Sequence, residues 1–161
     1  MDFLSTVCPT SGAKAFVAAK GGYMTHYWAE SHDTAKQAQL EGSGTSVYFA
    51  LAGYDGTNFR RAANAVAARS FWLDLDAGEE KYAKHGDKVY ETQTDALCAL
   101  NLFCALTEMD PTYVVSSGMG LHVYWAMDED IPAVEWRQHA AWFKEVVNHY
   151  GLRQDPARTA D

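Results

Sequence analysis

An α+β fold with a mixed, partly antiparallel sheet is what this sequence predicts, on three observations. Runs rich in β-branched and aromatic residues alternate along the chain with apolar stripes at helical spacing. Two of those runs, 113–116 and 121–126, are separated only by Ser117-Gly118-Met119-Gly120, a turn too short for the crossover that parallel strands need. A third run, Phe71-Trp72-Leu73-Asp74-Leu75-Asp76, carries two carboxylates inside an apolar strand. Period-2 alternation projects Asp74 and Asp76 from one face while Leu73 and Leu75 turn into a core.

Taken in order, the first forty or so residues add little. The run 45–52, Thr-Ser-Val-Tyr-Phe-Ala-Leu-Ala, is rich in β-formers and ends at the turn Gly53-Tyr54-Asp55-Gly56. An Ala-rich helix over 59–68 delivers the chain into the Asp74/Asp76 strand. The stretch 77–87, with Lys81, Lys84 and His85, reads as an exposed loop. A helix follows, with Thr94 as N-cap, Asp95 in the first turn and Leu97, Leu100, Phe103 and Cys104 on one stripe; Asp110-Pro111 stops it. After the 113–126 hairpin, Pro132 opens a last helix whose apolar stripe is Trp136, Ala140, Phe143, Val147 and Tyr150. Gly151 sits at its C-terminal cap. Asp128-Glu129-Asp130 is the densest acidic run and reads as a solvated turn feeding that helix.

With 161 residues, 48% of them hydrophobic, the chain is expected to be one domain over 1–161 with a sizeable core. No apolar run approaches the roughly 20 residues that span a bilayer, and no signal-peptide pattern opens the chain. The expectation is a soluble, cytoplasmic protein without membrane partners. Cys8, Cys98 and Cys104 are odd in number and read as buried free thiols. The formal charge of −8 excludes a protein that coats nucleic acid non-specifically, because that binding runs on Lys and Arg neutralising phosphates. Arg60, Arg61 and Arg69 are the local basic residues that remain.

Three places carry chemistry. Two carboxylates held side by side need protonation, a basic partner or a divalent cation, and an all-oxygen site suits hard Mg²⁺ or Mn²⁺. In Ser116-Ser117-Gly118-Met119-Gly120-Leu121-His122 the glycines let backbone N–H groups approach an anion, the serines add hydroxyls, and His122 opens the next strand within reach. A triphosphate fits that description. The turn is no Walker A loop, since no Gly-Lys-Ser/Thr follows, and no dinucleotide fingerprint, since it enters a strand. Asp155-Pro156, just past the last helix, is the third place and alone reads as a turn.

In this order the three resemble the archaeo-eukaryotic primase superfamily, and within it the primase-polymerase domains of phage and plasmid replication proteins. The matching residues are Trp72-Leu73-Asp74-Leu75-Asp76, Ser117-Gly118-Met119-Gly120-Leu121-His122-Val123-Tyr124-Trp125 and Gln154-Asp155-Pro156. They cover the chain from about Val47 onward. The resemblance implies a core built on an RNA-recognition-motif-like sheet with flanking helices and the active site on its open face. It implies that Asp74, Asp76 and Asp155 hold two divalent ions, Mg²⁺ or Mn²⁺, for primer synthesis from NTPs or dNTPs on a single-stranded DNA template. Ser116, Ser117, Gly118 and His122 would hold the incoming nucleotide, and Arg158 is a candidate phosphate partner. It further implies a bacterial host cytoplasm and a helicase domain or partner. Relatives continue past the third Asp into a basic segment, so a chain trimmed at its C-terminal end is expected. Two alternatives stand beside this reading. One is a non-catalytic nucleotide or nucleic-acid binding module of the same fold. The other is a replication-initiator endonuclease, which needs two histidines flanking one apolar residue where this chain has His122-Val123-Tyr124.

Overall fold

The computed structural model describes residues 2–32, 41–42, 44 and 46–155. Thr45, Pro156 and Arg158 therefore lie outside the described residues. Six strands, β1 (Ala13–Lys20), β2 (Tyr23–Ala29), β3 (Ser46–Tyr54), β4 (Ala65–Asp76), β5 (Tyr113–Ser116) and β6 (Gly120–Pro132), form one sheet in the order β2-β1-β3-β4-β6-β5. The described helices are α1 (Phe3–Val7), α2 (Glu79–His85), α3 (Gln93–Thr107) and α4 (Ala133–His149). The fold is α+β and the sheet is antiparallel. Among the described residues no helix is long and apolar enough to cross a membrane.

The chain divides into two compact units. One comprises Met1–Ser70 with Met127–Trp136, the other Phe71–Ala126 with Arg137–Asp161.

In the first unit the amino-terminal residues, in which the sequence shows no motif, supply the β1–β2 hairpin and buried Phe16 and Val17. Lys14 is only 2% exposed, and its Nζ donates to the carbonyls of Thr10, Ser11 and Gly12 at 2.9, 3.0 and 2.6 Å. Asp130 holds the same loop from its amide side, accepting from Thr10 N, Thr10 Oγ1 and Ser11 N at 3.1, 2.8 and 2.8 Å. The expected solvated turn at 128–130 is therefore wrong: β6 runs through to Pro132, and the acid is spent on a loop about 120 residues away in sequence. The expected helix over 59–68 is also wrong. Only a short 3₁₀ turn, Ala62–Asn64, precedes β4, because Ala65, Ala67 and Ala68 pair with Tyr54, Gly53 and Ala52 of β3. Pairing with β3, in which Gly53 and Ala52 stand opposite Ala67 and Ala68, is a tertiary contact that overrides the helix preference of Ala.

In the second unit, alternation along β4 buries Leu73 and Leu75 in a core with Leu100, Phe103, Val123, Trp125, Phe143 and Leu152. Each such aliphatic side chain contributes about 1.5–3 kcal/mol. The stretch read as an exposed loop contains α2, whose Glu79 and Glu80 at the start and Lys84 and His85 at the end match the helix dipole. The charges that suggest a loop are those that stabilise the helix ends. The N-cap of α3 is Thr92 rather than Thr94. Its hydroxyl accepts from Asp95 N at 3.1 Å while the Asp95 carboxylate accepts from Thr92 N at 3.1 Å, a capping box that begins the helix two residues earlier. That shift buries Ala96 and leaves Leu97 exposed. Cys98 is exposed too, so only Cys8 and Cys104 are buried thiols. The stripe on α4 is buried from Trp136 to Val147, whereas Tyr150 lies beyond the helix and is largely exposed.

Candidate functional site

The site is centred on Asp74, where three segments far apart in sequence meet. The first is β4 itself, which carries Asp74 and Asp76 on the face opposite Leu73 and Leu75; both acids are half-buried. The second is β6. Its His122 faces Val115 across the hairpin with β5 and places Nε2 3.7 Å from Asp74 Oδ1. The third is the segment 152–155 after α4. Tyr90 N donates to Asp76 O at 2.9 Å, Arg153 N donates to the Tyr90 hydroxyl at 2.9 Å, and Asp155 N donates to Asp74 O at 3.0 Å. The segment is thus tied to β4 directly at Asp155 and through the Tyr90 hydroxyl at Arg153.

No family model, no curated protein and no solved structure matches this chain.

The turn between β5 and β6 is shaped by two glycines with different jobs. Gly118, at φ 86°, takes a backbone conformation that L side chains rarely adopt, and a Cβ there would meet nothing within 4 Å. Gly120, at φ 156°, is required by close approach, since its Cβ would lie 2.4 Å from Leu75 O and 3.2 Å from Asp76 Cα. The turn is thereby pressed against the acidic strand. Met119 O accepts from Ala77 N at 3.0 Å, and Ser117 N donates to Gly120 O at 3.0 Å. Ser116, Ser117 and Gly118 are exposed.

Two residues of this constellation escape the sequence reading. Gln93, at the start of α3, accepts from Ser116 Oγ at 3.1 Å and donates to Gly120 O at 3.2 Å, so one side chain clips both ends of the turn. Lys81 of α2 forms a hydrogen-bonded ion pair with Asp76. The only signal for Lys81 is its place five residues after Asp76, which becomes meaningful once 79–85 is a helix.

Each acid of β4 is thus matched to a different protein cation, Asp74 to His122 when that ring is protonated and Asp76 to Lys81. Among the described residues no three ligating side chains converge as a ready metal cluster. The donor chemistry nevertheless fits a hard divalent ion, for the available oxygens are carboxylates on one strand face with the Asp155 backbone beside them. Burial pushes the Tyr90 phenol above its ordinary range, against hydrogen bonding and charge from Arg153. Tyr90 therefore stays neutral at physiological pH and serves as a fixed acceptor for the 152–155 segment.

Proposed function

We propose that this domain transfers nucleotides: a DNA primase-polymerase core that extends a primer from NTPs or dNTPs on a single-stranded template. One observation carries the reading. The acidic pair, the Ser-Gly-Met-Gly-Leu-His turn and the residue after α4 all meet at Asp74, through the His122 approach of 3.7 Å and the Asp155 amide bond of 3.0 Å. The order of β4, two helices, the β5–β6 hairpin, α4 and a returning segment on the far edge of β4 supports an RNA-recognition-motif-like core.

In this reading Asp74, Asp76 and Asp155 hold the divalent ions, which when bound supply positive charge against that developing on the transferred phosphoryl group. The chain's own groups do the positioning. The backbone amides of Gly118 and Met119 and the Ser117 hydroxyl face the triphosphate, Gln93 holds that turn in shape, and His122 lies between the anion and Asp74. Lys81 offsets the charge of Asp76 until a stronger cation competes for it.

The test is primer synthesis on a single-stranded template with Mg²⁺ or Mn²⁺, comparing the unaltered protein with Asp74→Ala and Asp76→Ala. Both variants should lose transfer while keeping a cooperative thermal transition, since removing one of two neighbouring anions relieves repulsion. Triphosphate binding without any transfer in the unaltered protein would replace this reading with a binding module.

A further inference from the structure

The loop 55–64, between β3 and β4, takes no part in the site around Asp74, yet it is the most built exposed feature of the first unit. Its ends are tied by Asp55 N donating to Asn64 O at 3.0 Å, and its interior by Asn64 N to Arg61 O at 2.9 Å and Arg61 N to Phe59 O at 3.0 Å. The Asp55 carboxylate accepts from Thr57 N at 3.0 Å, Thr57 Oγ1 at 2.6 Å and Asn64 Nδ2 at 3.0 Å. These bonds, led by that from the Thr57 hydroxyl, hold its carboxyl below the usual range. The only carboxylate in the loop is therefore committed to shaping it.

What the loop presents is an aromatic ring and two cations. Phe59 is 57% exposed. Arg61 caps one side of the ring, its Cζ 5.4 Å from the centroid. Arg60 and Arg61 are exposed, and among the described residues neither is paired with a carboxylate. Against one carboxylate they leave the loop with a net positive charge in a chain of net charge −8. Arg69, the third local arginine, is instead taken up by Met127 O, Asp128 O and Asp130.

We propose that the 55–64 loop binds single-stranded nucleic acid, with Phe59 stacking on a base and Arg60 and Arg61 contacting the adjoining phosphates. An acidic peptide would satisfy the arginines but leave the ring unexplained, whereas a nucleotide strand alternates a flat apolar face with an anion along its length. Base faces are hidden in a duplex, so the ring selects single strands. The internal hydrogen bonds order the loop in advance, which reduces the entropy lost on binding. This rests on the nucleotidyl-transfer reading only for the choice of a DNA template as the natural strand.

The experiment is fluorescence anisotropy with labelled oligo-dT, oligo-rU of equal length and a hairpin duplex, without metal or nucleoside triphosphate. The unaltered protein should bind the single strands in preference to the duplex, and a preference between dT and rU identifies the natural strand. Phe59→Ala should weaken binding about tenfold, the scale of one base stacked on an aromatic ring, and Phe59→Trp should restore it. Removing both guanidiniums in Arg60→Ala/Arg61→Ala should lower the slope of log affinity against log salt by about 1.4, at about 0.7 per phosphate contact on a single strand. Failure of the unaltered protein to bind, equal binding of the duplex, an unchanged Phe59→Ala, or displacement by polyglutamate as effectively as by oligo-dT overturns the proposal. Because no catalysis enters this titration, its failure leaves the Asp74 and Asp76 variants to decide the transfer reaction separately.

Discussion

Substitution of Gly120 by alanine isolates the contact that presses the glycine turn onto the acidic strand. The new Cβ would sit 2.4 Å from Leu75 O, where ordinary contact begins at 3.4 Å, so β6 and β4 must part by about 1 Å at this point. The opposing atom is a backbone carbonyl and cannot rotate away. The residue is also at φ 156°, and such a backbone costs about 1–3 kcal/mol for a residue with a side chain. With the steric displacement added, the loss should be about 3 kcal/mol, which for a chain of this size lowers Tm by about 6–12 °C. Gly118→Ala is the internal control. It meets the φ penalty of about 1 kcal/mol without any overlap, so its Tm should fall by only about 2–4 °C. Scanning fluorimetry with a urea titration measures both. Equal losses for the two variants, or an unshifted Gly120→Ala, would refute the assignment of Gly120 to close approach.

Three further outcomes are expected. Gln93→Ala removes both hydrogen bonds that clip the turn and should cost about 1–2 kcal/mol in urea unfolding, with weaker triphosphate binding by calorimetry. Lys81→Met leaves Asp76 without its ion pair. A partly exposed pair is worth up to about 1 kcal/mol, so Mn²⁺ affinity should tighten by up to about fivefold, and a weaker affinity would make Lys81 a participant rather than a competitor. His32 is pushed down from 6.5 to about 4, first by burial and then by Lys14. The unfolded chain binds more protons between those values, so the stability present above pH 6.5 is lost as pH falls toward and through about 4. Urea midpoints at pH 7 and 4.5 should differ less in His32→Gln than in the unaltered protein.

The features legible in the sequence are those with a short period. Two-residue alternation places Asp74 and Asp76 opposite Leu73 and Leu75, alternating four- and three-residue spacing marks the buried stripe of α4, and two glycines between β-runs mark the β5–β6 turn. What was not legible depends on a partner distant in the chain. Ala65 to Ala68 form strand because β3 pairs with them, and no local count of alanines reveals that. Asp130 is a loop clamp because Thr10 and Ser11 return to it, although its neighbours Asp128 and Glu129 read as solvent-facing charges. Lys81 and Gln93 escaped for the same reason: a lysine in a polar stretch and a glutamine at a helix start have no periodic signature, and only their contacts with Asp76 and with the turn single them out.

The arrangement around β4 has a directional logic. Two carboxylates on one face of a strand repel, and elements that follow β4 in the chain bring partners to them: α2 supplies Lys81 to Asp76, and β6 sets His122, a cation when protonated, beside Asp74. Neither cation is a rigid bidentate partner; one is the end of a flexible lysine and the other a histidine ring 3.7 Å away. An arginine would hold a carboxylate far more firmly. The arginine in this region, Arg153, is directed to Val89 O and to Asp87 instead. A strand designed only to be stable would carry asparagine or leucine at 74 and 76, or lock its acids with guanidinium. Keeping two acids there beside a lysine and a histidine that a divalent ion could displace is the arrangement that the proposed nucleotidyl transfer would use.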